Sequence, residues 1–338
     1  MVASGISSDC YRFGVVDDSA EQRIGFFLAD TFGMLPFISA LEPLRAANRL
    51  SGQALYEWVL LGSGDVDVLA NNAMRVAVES SIYDAHSLDR LIVCGPHDPH
   101  LFDDHRVLRA IRQQASRGTL IGALDTGCYL LAQADLIKGR RCTTHWESLP
   151  GLKEAFPQLS VSTEIFEIDE GLFTCAGGTA SLDMMLALIR QDHGSALAFQ
   201  VADLFITTHL RESSNPQRRS IVERSGIYHR GVIRCIELME DNLELPISTV
   251  DLASKVGISV RQLERLFRTH LSATPTAYYQ QLRLRAGREL LLQTSLSVLD
   301  VASAVGFSSA DYFSRRFQVF YGHTPTMARK NRHTTSAK

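Results

Sequence analysis

Hydrophobic and polar positions divide the chain into two regimes. Between residues 23 and 208, short apolar runs alternate with amphipathic stretches. IGFFLA (24–29), YEWVLLG (56–62), RLIVCG (90–95) and TLIGAL (119–124) have the length and composition of strands buried on both faces. RRCTTHW (140–146), VSTEIFEI (161–168) and LFTCA (172–176) read as further strands. Helical periodicity marks FISALEPLRAANRL (37–50), VLRAIRQQA (107–115), SLDMMLALIRQ (181–191) and ALAFQVADLFI (196–206). This alternation predicts a doubly wound α/β domain over 23–208, with a mostly parallel sheet flanked by helices. The pattern then breaks into the polar, basic stretch LRESSNPQRRSIVERSG (210–226), which reads as a linker over 209–230. From 231 to 333 every segment is helical, so the second domain is all-α.

That second domain contains a repeat. DLASKVGIS (251–259) matches DVASAVGFS (300–308) at an offset of 49. Arg265, Phe267 and Thr274-Pro275-Thr276 recur at an offset of 50 as Arg315, Phe317 and Thr324-Pro325-Thr326, so one residue is inserted between the two blocks. Each copy carries helix–turn–helix punctuation, placing the units at about 248–271 and 297–321. Ser248 with Asp251, and Ser297 with Asp300, predict capped first helices. Gly257 and Gly306 stand where the interhelical turn needs positive φ. Ser259 with Gln262, and Ser308 with Asp311, predict the second caps.

The second helices divide into two faces. Leu263, Leu266 and Phe267 point inward in one, and Phe313, Phe317 and Phe320 in the other. The first leaves Arg261, Gln262, Glu264, Arg265 and Arg268 outside; the second leaves Ala310, Asp311, Ser314, Arg315 and Gln318. Arg and Gln near a helix N-terminus have the reach and donors to read guanine and adenine edges in a major groove. PTAYYQQLRLRAGRELLLQ (275–293) reads as a rigid connecting helix with one apolar stripe of Tyr278, Leu282, Ala286 and Leu290, leaving Arg283, Arg285 and Arg288 elsewhere.

Charge sharpens this division. The chain of 338 residues has a net charge of −3. Residues 211–338 hold 19 Lys and Arg against 11 Asp and Glu, so the first part is strongly negative and the second positive. A basic helical module on an acidic one points to a polyanion as partner of the second part. Hydrophobic residues at 45% and charged at 21% are ordinary for a globular protein, and no apolar run approaches a membrane span. Residues 1–22 read as a disordered leader without a signal-peptide core, and 334–338 as a tail. Six scattered cysteines without a Cys-x-x-Cys pair suggest reduced thiols in a cytoplasmic protein.

Residues 229–333 resemble the AraC-type DNA-binding domain, two helix–turn–helix units joined by a long helix. The resemblance rests on DLASKVGISVRQLERLFRTHLSATPTAYY and DVASAVGFSSADYFSRRFQVFYGHTPT. It implies groove-facing residues at Arg261, Gln262 and Arg265, then at Ala310, Asp311, Ser314 and Arg315, with Arg268 beside them. In the first domain, VCGP (93–96), ALDTG (123–127), RCTTHW (141–146) and FTCAGGTASLDMMLALI (173–189) resemble, in that order, the PfpI-type branch of the class I glutamine amidotransferase-like superfamily, which has a flavodoxin-like fold. That superfamily places a nucleophilic cysteine in a sharp strand–turn–helix elbow. Here Asp125 holds that position, and His145 matches the partner histidine.

The resemblance therefore implies a catalytically inactive pocket retained as a sensor, with no cofactor and no metal. Asp125, Thr126, Gly127, Tyr129, His145, Trp146 and Gly95 are its candidate ligand contacts. Trp146, Tyr129 and Phe32 are candidates for an aromatic cage around a quaternary ammonium, and Asp125 or Glu147 for a guanidinium partner. Amides at the start of the elbow helix favour an anion. GPHDPHLFDDHRVL (95–108) reads as a polar loop feeding an Asp-capped helix. The pairing of domains resembles GlxA-like regulators, activators of arginine, glycine betaine or carnitine catabolism. It implies promoter DNA, a small-molecule inducer and RNA polymerase as partners, and homodimerisation through the first domain. The alternative is a cysteine-dependent hydrolase or glyoxalase-like enzyme using Cys128 with His145, fused to a DNA-binding domain.

Overall fold

A computed structural model describes residues 21–64, 66–169, 171–218 and 221–335. The expected leader lies almost wholly outside these residues, as does most of the expected tail. The chain divides into two compact units, Met1–Gln217 and Arg218–Lys338.

The first unit is built on β1 (Gln22–Leu28), β2 (Tyr56–Gly62), β5 (Ser80–Ser81), β6 (Arg90–Cys94), β7 (Leu120–Leu124), β10 (Phe166–Asp169) and β11 (Leu172–Cys175). They form one sheet in the order β10-β11-β7-β6-β1-β2-β5, parallel except for the β10–β11 pair. Alternation within β1 explains the continuous apolar run: Ile24, Phe26 and Leu28 enter one core layer and Phe27 the other. The first layer packs under α1 (Met34–Ser51), α5 (Ala180–His193) and α6 (Ser195–Leu204). The second packs under α2 (His105–Ser116) and α3 (Gly127–Gln133). Away from the strands' carboxyl ends, Arg90 grips Asp192 of α5 through a two-pronged ion pair at 2.6 and 2.7 Å, with both side chains buried. Tyr56 adds its hydroxyl to the same carboxylate at 3.0 Å.

Several short elements escape the hydrophobic pattern. β3 (Asp67–Leu69) and β4 (Arg75–Ala77) make a separate two-stranded hairpin, and its connecting turn braces the β1–α1 loop, Asn71 N–H donating to Phe32 O at 2.9 Å. The expected strand 140–146 shrinks to β8 (Arg141–Cys142), paired with β9 (Ser160–Val161). The run 161–168 is broken between β9 and β10, and α4 (Leu149–Ala155) lies between β8 and β9. The segment 209–217 of the expected linker is bonded to the first unit. The Arg211 guanidinium holds the buried Asp183 carboxylate at 2.5 and 2.9 Å. Farther along the expected linker, in the second unit, α7 spans Ile221–Ser225.

In the second unit α8 (Arg230–Glu240) precedes the repeat. Its first copy is α9 (Thr249–Lys255) and α10 (Val260–Leu271), followed by α11 (Pro275–Gln293); the second is α12 (Val298–Ala304) and α13 (Ala310–Tyr321), followed by α14 (Pro325–Thr335). Ser248, Ser259 and Ser297 cap as their spacing predicts. The fourth cap does not: Ser309, not Ser308, accepts from the Tyr312 N–H at 3.2 Å. The inserted residue falls before this cap, so α13 is in register with α10 at the offset of 50.

Two expectations about faces are also corrected. Phe320 is 38% exposed while Phe313 and Phe317 are fully buried, because the core ends one turn earlier. The single stripe expected on α11 is two faces. Tyr279 enters the core of the first copy, and Leu284, Leu290 and Leu291 enter that of the second. A helix of 19 residues, about 28 Å long, thereby serves two cores in succession.

The two turn glycines sit in unequal surroundings. Both have left-handed φ, 71° at Gly257 and 72° at Gly306. A Cβ on Gly257 meets nothing within 4 Å, whereas one on Gly306 falls 2.6 Å from the carbonyl oxygens of Leu243 and Glu244. Gly257→Ala is expected to cost only the conformational penalty of about 1 kcal/mol, and Gly306→Ala more than about 2 kcal/mol. Calorimetric unfolding of the full chain checks this; equal losses at both positions would remove the steric argument.

Candidate functional site: the elbow and the two surface helices

The elbow forms where β7 turns sharply into α3. Asp125 carries φ 56°, and its N–H donates to Cys175 O at 2.9 Å. Aspartate tolerates this left-handed conformation better than most residues. Thr126, Gly127 and Gly95, expected as ligand contacts, build the turn instead. A Cβ on Gly95 would stand 2.2 Å from Gly127 N, and one on Gly127 2.1 Å from Val93 O. Thr126 is buried and donates its hydroxyl to Pro96 O at 2.7 Å. Since α3 has seven residues and its first amide abuts Gly95, its N-terminus is packed against backbone rather than offered to an anion.

Glycines also make room for the Asp125 side chain. Its Oδ2 lies 3.1 Å from where a Cβ on Gly33 would be, and a Cβ on Gly177 would stand 2.9 Å from its own Cβ. The carboxylate is half-buried, and among the described residues its oxygens accept no hydrogen bond. Burial pushes its carboxyl above the usual carboxylate range; His145 and His97 oppose that rise and Glu147 adds to it. Thr144 anchors the adjoining segment by donating its hydroxyl to Asp125 O at 2.6 Å. His145 Nδ1 lies 3.6 Å from Glu147 Oε2, and its ring centroid is 5.5 Å from that of Trp146. The Asp125 carboxylate and His145 are therefore within electrostatic reach of each other, with Trp146 beside the His145 ring.

The rest of the expected cage is not there. Tyr129 is buried in the α2/α3 layer, its hydroxyl donating to Ser148 O at 3.0 Å. Phe32 is fully buried and packs edge-on against Phe37. Cys128 is likewise fully buried; its hydrogen bond with Cys142, followed by burial, raises its thiol well above an ordinary cysteine. It is not a thiolate beside His145. Asp104 caps α2 by accepting from the N–H groups of Arg106 and Val107.

Beside the elbow lies a cavity of about 230 Å³, at the switch where β1 and β6 send their chains opposite ways. Phe27, Asp30, Thr31, Pro96, Asp98 and Phe102 wall it. No local pattern announces it, because its residues come from loops far apart along the chain. The elbow is tied to the end of its unit as well. Gln217 Nε2 donates to Thr143 Oγ1 and Thr144 O at 3.0 Å and to Glu164 O at 2.9 Å.

In the second unit Arg261, Gln262, Arg265 and Arg268 are exposed on α10. Gln262 is partly committed, since its Oε1 accepts from the Ser259 N–H at 3.1 Å. On α13 Asp311 and Arg315 are exposed, while Ala310 and Ser314 are half-buried. With α13 in its corrected register, Tyr312, 41% exposed, takes the place of Gln262. The offset of 50 already visible at Arg315 and Phe317 is the signal that finds it. Arg283 is not free for a partner: it donates to Val305 O at 2.7 Å and lies over the Phe307 ring.

Residues 22–191 match the family model described as DJ-1/PfpI family, and residues 252–331 match the Helix-turn-helix domain. The chain is 41% identical over 308 residues to the HTH-type transcriptional regulator CdhR of Pseudomonas aeruginosa, covering 91% of each. Identity to the HTH-type transcriptional regulator GbdR of the same species is 40%, over 90% of this chain and 83% of that one. For GlxA of Rhizobium meliloti it is 38%, over 93% and 97%. Among solved structures, an AraC family transcriptional regulator from Pseudomonas putida covers 54% of this chain and 99% of its own. Its TM-score is 0.51, at 26% identity.

Burial of Asp125 carries a pH signature. A folded-state pKa above the unfolded one means that the folded chain holds its proton more tightly, so stability is lost as pH rises through the folded pKa. Asp125→Asn, which suits the same backbone conformation, is expected to raise the melting temperature of the first unit at neutral pH. The gain should shrink as acidification protonates the native aspartate. A gain that grows on acidification in a pH series of melting curves would contradict the burial argument.

Proposed function

The chain belongs to the HTH-type transcriptional regulators that join a DJ-1/PfpI unit to an AraC-type helix–turn–helix unit, and from that premise we propose that a small cationic metabolite bound at the elbow controls its action on promoter DNA. The observation that carries the ligand reading is Asp125. It is a half-buried carboxylate with no hydrogen-bond donor of its own among the described residues, in a glycine-lined recess within electrostatic reach of His145, whose ring lies beside that of Trp146. Burial disfavours its charge, and a cationic head group restores the balance. An amino acid or a quaternary amine supplies such a group; with Tyr129 and Phe32 in the core, Trp146 is the one aromatic of the expected cage left for it.

Ligand occupancy has a route to the end of the unit. Thr144 holds the elbow carbonyl, and Gln217, the last residue of the first unit, holds Thr144. A ligand that draws in His145 therefore acts on the segment leading to the DNA-binding unit, and it biases the regulator only through a difference in affinity between two states. On the DNA side, Arg261 and Arg265 are the base-reading candidates of the first copy, with Arg268 beside them and Arg315 matching Arg265 in the second. The regulator is proposed to act in the cytoplasm as a homodimer through its first unit, and to activate catabolic genes together with RNA polymerase.

A thermal-shift screen of the full chain against amino acids, betaines and polyamines should find a ligand that stabilises it by mass action. Asp125→Asn is expected to lose that shift while promoter binding persists. Gln217→Ala is expected to keep the shift and lose the ligand's effect on DNA binding. Undiminished ligand response in Asp125→Asn would place the ligand elsewhere. Arg261→Ala and Arg265→Ala are each expected to weaken specific binding by about 1–3 kcal/mol. Unchanged footprints in both would remove them from the interface.

A further inference from the structure

We propose that the second helix–turn–helix copy holds the duplex through a phosphate clamp, formed by Tyr312 and Arg316 of α13 and fixed by Gln280 of α11. The inference rests on the DNA-binding reading above and goes beyond it, because it gives the two copies different tasks.

The register carries the first step. α10 and α13 share caps, buried anchors and C-terminal turns at one offset: Ser259 and Ser309, Leu263 and Phe313, Phe267 and Phe317, Ser272 and Gly322. Arg261, Gln262, Arg265 and Leu266 therefore correspond to Asp311, Tyr312, Arg315 and Arg316. Where the first copy has a half-buried leucine, the second has an exposed arginine. Where it has a glutamine whose side chain is tied back to its own cap, the second has a tyrosine whose side chain turns to Gln280 instead.

The second step is the geometry. Tyr312 and Arg316 stand one turn apart on the side of α13 nearest α11, and both bind Gln280 of that helix. Gln280 Nε2 donates to the Tyr312 hydroxyl oxygen at 3.1 Å, and Arg316 donates to Gln280 Oε1 at 2.5 Å. The Tyr312 ring also packs beside Phe307, centroids 5.8 Å apart. Two exposed side chains, ordinarily mobile, are held in one arrangement. The phenolic hydrogen and most of the guanidinium donors stay available, and Arg316 makes no ion pair among the described residues. Asp311, the carboxylate nearest in sequence, lies one turn before Arg315 and not before Arg316.

Position then selects the ligand. On a helix lying in a major groove, the central line meets base edges and the flanks meet the sugar–phosphate walls. Asp311 and Arg315 occupy the line that Arg261 and Arg265 hold in the first copy, and Tyr312 and Arg316 occupy the flank. A neutral hydroxyl donor beside a guanidinium suits a phosphodiester oxygen, with no sequence preference.

The test measures full-length protein on two duplexes by fluorescence anisotropy across a KCl series. One duplex has random sequence; the other is a site selected in vitro with the wild-type protein. Arg316→Ala is expected to lower the slope of log K against log [KCl] by about 0.9 on both duplexes, the change for one phosphate no longer neutralised. Tyr312→Phe should weaken both by roughly three- to tenfold with the slope unchanged, since it removes a neutral donor. Gln280→Ala should weaken both duplexes, and Arg316→Lys should recover the slope. Arg261→Ala, by contrast, should act mainly on the selected site. Circular dichroism melts confirm that the surface variants remain folded. Loss confined to the selected site, or an unchanged slope in Arg316→Ala, overturns the clamp. Failure of the wild type to bind either duplex overturns the DNA-binding reading itself.

Discussion

The approach of Gly95 to the amide of Gly127 is the constraint on which the sensing unit depends. No side chain fits at either position, because an added Cβ would stand closer than 2.5 Å to backbone of the other loop or strand. The two loops leaving β6 and β7 therefore close on each other with only hydrogen between them. That approach forces the chain to turn within three residues, which puts Asp125 in the left-handed region and drives the next turn of helix into the core. Cys128 and Tyr129 go inward for the same reason that Asp125 stays outward. The position that could react and the position that could sense are separated by backbone geometry.

Charge distribution gives the units complementary tasks. The acidic first unit holds the half-buried Asp125 carboxylate at an elbow whose histidine segment is anchored by Gln217. The basic second unit displays arginines toward a polyanion. Between the elbow and the end of the first unit the structure supplies hydrogen bonds through Thr144 and Gln217. Such bonds depend on direction, so a small shift of the His145 segment changes them more than it would change packing.

The repeat shows how one residue redistributes function. The first helices and turn glycines of the two copies pair at an offset of 49, but from Ser309 onward the fold pairs residues at 50, because the insertion lies ahead of that serine. After it, α13 presents Tyr312 and Arg316 where α10 presents Gln262 and Leu266. The connecting helix accepts this difference by turning one face to each copy, with Gly287 admitting the Phe313 ring, which a Cβ there would meet at 2.8 Å.

Local periodicity, or the φ demanded of a single residue, was enough to specify the buried parallel strands, the helix–turn–helix repeat, and most of its capping serines and its glycines, while the elbow was placed by its motif's resemblance to a known superfamily. What the elbow's neighbours do was settled by packing instead. Tyr129 has the composition of a cage residue, yet its direction follows from how α3 lies on the sheet. Gly95 and Gly127 resemble ligand-binding glycines, yet each serves to admit the other's loop. The short pieces β3, β4 and α4, and the cavity at the β1–β6 switch, lack a long apolar period and are fixed by contacts between distant segments. Local order is encoded where neighbours in sequence interact; the recess around Asp125 exists only because Gly33 and Gly177, nearly 150 residues apart, are brought to the same carboxylate.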